Sequence, residues 1–274
     1  MSDNNLIIAS SKNGVMTLTM NMPRRYNGWT LEMLTELREG LQRAARDETI
    51  GACVLTGADP YYCAGVNLAG TLKLDHPKKL HAMIVKQNQA LFDMFIDFPK
   101  PIIIAANGPA IGASVTSASL CDAIIASTEA TFSTPFARLG VSPEGCSSYL
   151  FPRLLGEDSA ARMLFEEGWI PTAHEAHEIG LVDEVVEHDV LLSRAQEVAE
   201  AWISEGKIRS YKAGATREKL KAVNAEESVA LASSFLSPAF LDAQFKFLWS
   251  RNKTGPALMF LSLRLTYPIW SQLL

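Results

Sequence analysis

The run N-G-P-A-I-G-A-S-V-T-S-A-S-L-C-D, Asn107–Asp122, follows an unbroken apolar segment, Ile102–Ala106. Five apolar residues stopped by Asn-Gly-Pro read as a buried strand, and the small residues beyond predict a helix opening near Gly112. A strand feeding a helix start leaves backbone N–H groups unpaired at the positive end of the helix dipole. Such a place suits an anion, or an oxygen on which negative charge develops. Further along, Ser142-Pro143-Glu144-Gly145 sets one carboxylate in a turn, and the sole other acid between Asp122 and Glu144 is Glu129. An oxyanion site with one carboxylate is the minimum kit for moving a proton next to a carbonyl.

Upstream, Leu6–Ser10 and Val15–Met20 flank Lys12-Asn13-Gly14, a hairpin signal. Thr30 is placed as an N-cap, and Met33, Leu34, Leu37 and Leu41 keep helical spacing to about Arg46. The strand Ile50–Thr56 then completes a crossover unit that implies parallel pairing. A loop, Asp59–Leu68, leaves the carboxyl end of that strand, and a helix over Lys78–Phe98 is stopped by Pro99 and Pro101. Asp122–Ser127 is a fourth core strand.

After Glu144 the pattern is nearly all helical. Helices are predicted over Cys146–Leu155, Ser159–Glu167, Ala173–Ile179, Leu191–Glu205, Ile208–Leu220, Ala225–Leu236 and Ala239–Arg251, with one strand at Val182–Val186. No Gly-, Pro- or Ser-rich linker and no repeat interrupts the chain, so it reads as one α/β unit. Its core occupies 1–205 and a helical part 206–274. The apolar tail Gly255–Leu274 carries Arg264 and Pro268 and is too interrupted to span a membrane; packing against a neighbouring subunit is its expected use.

With 274 residues, 48% of them apolar and 20% charged, the chain has the composition of a globular protein. A net charge of −5 argues against nucleic acid as partner. The four cysteines, Cys53, Cys63, Cys121 and Cys146, form no C-x-x-C and read as buried free thiols. His174 and His177 lack a third ligand, so no metal is expected. The polar N-terminus fits an intracellular protein made without a cleaved leader. Neither G-x-G-x-x-G, a P-loop nor G-x-S-x-G occurs, which argues against nucleotide redox chemistry and serine hydrolysis.

Two loops are candidates for one oxyanion site: Ala64-Gly65-Val66-Asn67-Leu68 and the helix start at Gly112-Ala113. Two N–H groups aimed at one oxygen would polarise a thioester and hold the enolate formed when its α-proton leaves. The plainer alternative is a glycine loop in which Asn67 caps the next helix. Around Glu144, the apolar Val141, Cys146, Tyr149, Leu150 and Phe151 would desolvate the carboxyl and raise its pKa, as a proton shuttle needs. Arg24 and Arg25 either meet a phosphate-bearing ligand or are simply solvated.

The ordered segments Asn21-x-Pro23…Asn27, Tyr62–Leu68, Pro99–Ile103, Asn107–Gly112 and Cys121-Asp122 resemble the crotonase (enoyl-CoA hydratase/isomerase) superfamily. Leu139–Tyr149 is most similar to its peroxisomal-type Δ3,Δ2-enoyl-CoA isomerases. The resemblance implies a ClpP-like spiral of ββα units with a C-terminal helical trimerisation region. It implies an acyl-CoA thioester as substrate, no separate cofactor, no membrane insertion, and a homotrimer or hexamer. By the same resemblance Val66 and Ala113 supply the oxyanion-hole N–H groups and Glu144 is the base and acid. Ala64, Gly65, Val66, Asn67, Leu68, Gly112 and Arg25 are the substrate-binding set. The two glutamates that hydratases use fall on Thr116 and Phe136, which favours isomerisation in the β-oxidation of unsaturated fatty acids over hydration. Peroxisome is the expected compartment, with mitochondrion or cytosol as alternatives because the chain ends Ser271-Gln272-Leu273-Leu274 rather than Ser-Lys-Leu.

Overall fold

Asn13 and Gly14, both at positive φ, close the first hairpin. Strand β1 (Ile7–Lys12) pairs antiparallel with β2 (Val15–Met20), Ile7 opposite Met20. These positions come from a computed structural model that describes residues 5–66, 75–166 and 168–274. Helix α1 (Leu31–Arg46) begins where Thr30 accepts the Met33 N–H at 3.2 Å, and it buries Met33, Leu37, Leu41 and Ala44 along one stripe. It leads to β3 (Ala52–Gly57), parallel to β2, so the predicted crossover is present.

Helix α2 (Pro77–Ile96) and strand β4 (Ile102–Ala106) repeat the unit, β4 lying parallel to β3. Then come β5 (Ala110–Ile111), the short helix α3 (Ala113–Ala118), β6 (Ala123–Ser127) and β7 (Phe132–Ser133). Strand β6 joins the main sheet beside β4, whereas β5 and β7 pair with each other in a small second sheet. Helices α4 (Phe136–Leu139), α5 (Ser147–Leu155), α6 (Glu157–Phe165) and α7 (Ala173–Glu178) precede the edge strand β8 (Glu184–Val186) and helix α8 (Leu191–Ser204). The six-stranded order is β1-β2-β3-β4-β6-β8, parallel throughout except for the first hairpin.

Strand alternation sorts the core. Val15, Val54, Ile103, Ala105 and Ile125 face α8, packing on Leu191, Ala195 and Ala199. The opposite face, with Leu18, Met20, Leu55 and Ile104, packs on α1 and α2 in the larger cluster that surrounds the site.

One expectation is corrected. Instead of helices at Ile208–Leu220 and Ala225–Leu236, there is one helix, α9 (Arg217–Phe235), capped by Thr216 and packed along α2. The preceding stretch forms no α-helix, only a 3-10 turn at Lys212–Gly214, and is held by long-range bonds that no local pattern reveals. The buried Arg209 guanidinium meets the buried Asp122 carboxylate at 2.7 Å and donates to the Leu120 and Phe95 carbonyls. Asp122 also accepts the N–H groups of Ile102 and Ser210. Between 220 and 225 nothing breaks the helix, because Lys-Ala-Val-Asn contains neither Gly nor Pro. Helix α10 (Pro238–Ser250) starts at the expected proline, and the tail forms α11 (Thr254–Leu265) and α12 (Tyr267–Trp270). No helix of the described residues is long and apolar enough to cross a membrane.

Removing one partner of a buried ion pair strands the other charge, at a cost of roughly 3–5 kcal/mol. Arg209→Ala should therefore lower the unfolding free energy from urea titrations by an amount in that range, and a change under ~1 kcal/mol would show that the pair does not hold this segment.

Candidate active site

The two glycine-bearing loops meet at a main-chain junction. Cys63 and Ala110 form a parallel bridge, with Cys63 N–H donating to Pro109 O at 3.2 Å and Ile111 N–H to Cys63 O at 3.0 Å. Ser114 Oγ accepts the Ile111 N–H at 2.9 Å and lies 3.0 Å from both the Cys63 and Ile111 carbonyls, so its one proton serves either loop. Gly65 (φ +78°) passes so close that a Cβ there would stand 2.5 Å from Ile111 O. Conformation and space both demand glycine.

Most amides around this junction are spoken for. Ala64 N–H donates to Tyr26 O, Gly65 N–H to Cys63 Sγ, and Gly112 N–H to Ser133 O. The N–H groups of Val66 and Ala113 have no acceptor among the described residues. For Ala113 this follows from its place as the first residue of α3, with Gly112 as N-cap. Asn67 and Leu68 lie outside the described residues.

Between α1, α2 and α9 lies a cavity of about 450 Å³, walled by Trp29, Leu34, Ile84, Leu91, Leu231 and Phe235. Val66 and Glu144 both line it. Ala113 is buried and does not line the cavity, and Arg25 sits exposed on the turn Pro23–Arg25, also outside the lining. The structure thus brings together Val66 and Glu144, joins the loops of Gly65 and Ala113, and leaves Arg25 apart. The asparagines of the quoted motifs are brackets: Asn27 donates to the Ala58 and Tyr61 carbonyls, and Asn107 accepts the Gly57 N–H and donates to Asp59.

Glu144 is the sole acid in the cavity lining among the described residues. It precedes two residues in the left-handed region, Gly145 (φ +69°) and Cys146 (φ +62°). A Cβ on Gly145 would stand 2.5 Å from both Phe92 and Thr116, so the turn is pressed against the core. Its carbonyl accepts the Ser147 hydroxyl at 2.7 Å. Burial raises the Glu144 pKa to about 8, and the negative charge of Glu227 adds to the effect. Thr116 and Phe136 are buried nearby in the fold and supply no second carboxylate.

Glu227 was not singled out by the sequence reading. It is buried on α9, where its carboxylate accepts Cys146 N–H at 2.6 Å, Ser148 N–H at 2.9 Å and Ser148 Oγ–H at 2.5 Å. Its signal was spacing: Leu220, Val223, Asn224, Glu227, Ser228 and Leu231 follow the i, i+3, i+4, i+7 rule of a buried stripe. The four cysteines are free and buried, with burial pushing the thiols of Cys53, Cys63 and Cys121 up to about 12, so none is an activated nucleophile. His177 Nδ1 lies 2.9 Å from the Val182 carbonyl, a structural use of that ring.

A desolvated carboxyl and the unpaired Val66 N–H beside one largely apolar cavity form a site suited to proton transfer next to a carbonyl. The family described as Enoyl-CoA hydratase/isomerase matches residues 10–243, and the chain belongs to it. Enoyl-CoA delta isomerase 2 of Homo sapiens is 37% identical over 90% of this chain, which spans 64% of that relative's length. The peroxisomal Enoyl-CoA delta isomerase 3 of Mus musculus is 33% identical, covering 90% of this chain and 79% of its own. Among solved structures, an enoyl-CoA hydratase/isomerase from Pseudoalteromonas atlantica T6c superposes with a TM-score of 0.77 at 29% identity, over 90% of this chain and 98% of that one. The expected crotonase fold is therefore the fold observed.

Gly65→Ala should destabilise the protein by more than about 1 kcal/mol, read by denaturant unfolding, since the native φ and the Ile111 carbonyl both oppose a side chain. Between the ordinary carboxylate value of 4.5 and about 8, the native state holds a proton on Glu144 that the unfolded chain has released. Stability should then fall as pH rises through that window, and Glu144→Gln should flatten the slope measured by urea titrations.

Proposed function

We propose that this protein is a Δ3,Δ2-enoyl-CoA isomerase that converts 3-cis- and 3-trans-enoyl-CoA to the 2-trans isomer in the β-oxidation of unsaturated acyl chains. The observation that carries the reading is Glu144 as the single carboxyl, among the described residues, of a largely apolar cavity that Val66 also lines. Glu144 takes a proton from C2 of the acyl group. The electrons shift toward the thioester oxygen, which accepts hydrogen bonds from the Val66 and Ala113 N–H groups. The same carboxyl returns the proton at C4, so the double bond moves and no atom is gained or lost. Coenzyme A enters as part of the substrate, and the chemistry asks for no other cofactor.

Hydration needs a water activated opposite the proton donor, and the resemblance places Thr116 and Phe136 where hydratases carry glutamates. A raised pKa suits the shuttle, because a carboxyl that titrates near 8 is a stronger base than an ordinary one. Exposed apolar side chains on the C-terminal helices, among them Phe247, Trp249, Leu258, Leu265 and Ile269, support a homotrimer or hexamer.

A coupled assay with 3-enoyl-CoA esters of several lengths tests the reading. Wild type should isomerise them, with kcat/KM rising through an acid limb near the Glu144 pKa, and Glu144→Gln should lose about 10²–10⁴-fold in kcat. Full turnover by that variant would refute the role of Glu144. Rapid formation of 3-hydroxyacyl-CoA from 2-trans-enoyl-CoA would point to hydration instead.

A further inference from the structure

The geometry points to Glu227 as a positioning residue for Glu144: its buried carboxylate fixes the turn that aims the base. The inference rests on the reading of Glu144 as the proton shuttle. Every polar contact of Glu227 in the described residues goes to the start of α5, two main-chain N–H groups and one hydroxyl. All three are donors, so an ionised carboxylate, which only accepts, meets them without conflict. The first of them belongs to Cys146, held in a left-handed conformation that a residue with a side chain rarely adopts. Glu227 therefore stabilises a strained turn two residues from the reacting carboxyl.

Glu227 has no ion-pair partner among the described residues, so its charge is not cancelled locally. The neighbouring charges on the α2–α9 face are engaged with one another. Lys221 of α9 lies 2.7 Å from Asp93 and 2.9 Å from Asp97 of α2, and Arg217 pairs with Asp97. On the cavity side, Arg38 of α1 and Lys86 of α2 line the wall with Glu144, and the buried Cys146 thiol donates to the Leu220 carbonyl at 3.2 Å. Burial is the larger cause of the raised Glu144 pKa and the charge of Glu227 the second; burial raises the Glu227 pKa as well, while the hydrogen bonds from Ser148 and Cys146 pull it back down.

The consequence is chemical. Two carboxylates that sense each other through a low-dielectric interior resist being ionised together. When Glu144 takes the substrate proton, that repulsion is relieved, so Glu227 favours the step that forms the enolate. The proton's return to C4 restores the repulsion, and the cycle closes with no net change. Glu227 needs no contact with substrate to do this, and it does not line the cavity.

The test uses protein labelled with [¹³C]carboxyl glutamate, the Glu144 resonance being assigned by its loss in Glu144→Gln. In Glu227→Gln the Glu144 titration should move down by about one pH unit, with the acid limb of kcat/KM moving in parallel. Glu227→Asp keeps the charge but gives up reach, so the titration should stay near wild type while kcat drops about tenfold or more. An unmoved titration in Glu227→Gln overturns the electrostatic role, and wild-type kcat in Glu227→Asp overturns the role in aiming the turn. If Glu144→Gln retained isomerase activity, the shuttle assignment would fall, yet the carboxyl titration would still report on the coupling of the pair.

Discussion

The close approach of Gly65 to Ile111 is the constraint on which the site depends. The spare amides of this region come from distant chain segments, Val66 in a loop after β3 and Ala113 at the first residue of α3, with α2 and β4 between them. The Cys63–Ala110 bridge and the shared Ser114 hydroxyl lock them together, leaving Val66 and Ala113 at the points where pairing runs out. Donors fixed in this way need no reorganisation when charge develops on a bound oxygen, which is where such groups contribute most. The sheet supplies rigidity, since β3 and β4 are buried on both faces and deliver the two loops from adjacent parallel strands.

The acid is placed by a different route. Glu144 gains nothing in stability from its burial, because removing a carboxyl from water without a cation disfavours its charged form. The surroundings that compensate are local and specific: Phe92 and Thr116 under the turn, the Ser147 hydroxyl on the Glu144 carbonyl, and Glu227 across from Cys146. A site of this kind trades stability for reactivity, which is a common arrangement where a proton must change hands near neutral pH.

How much of this was legible in the sequence depended on the range of the interaction. Short-range signals served well: Asn13-Gly14 marked its hairpin, Thr30 its cap, and Pro99 and Pro101 the end of the long helix. The glycines of both loops and the S-P-E-G turn were visible because unusual backbone conformations restrict residue choice. What escaped was set by distant partners. The stretch around Arg209 has helical character in its own residues, yet its guanidinium belongs to Asp122 and to the carbonyls of Phe95 and Leu120. Glu227, in Asn-Ala-Glu-Glu-Ser, passes unremarked in the sequence, and only the buried stripe of α9 sets it apart. Arg25, by contrast, drew attention through charge alone, and the fold leaves it in solvent.

Helix α9 carries Glu227 near its middle and Leu231 and Phe235 a turn or two further on, where they wall the cavity. One unbroken rod thus touches both the acyl-sized space and the acid's electrostatic surroundings. A bulkier or smaller residue at 231 or 235 would change the volume of that cavity on the same helix that carries Glu227. The volume of the cavity and the surroundings of the acid are therefore tied together through a single element of the fold.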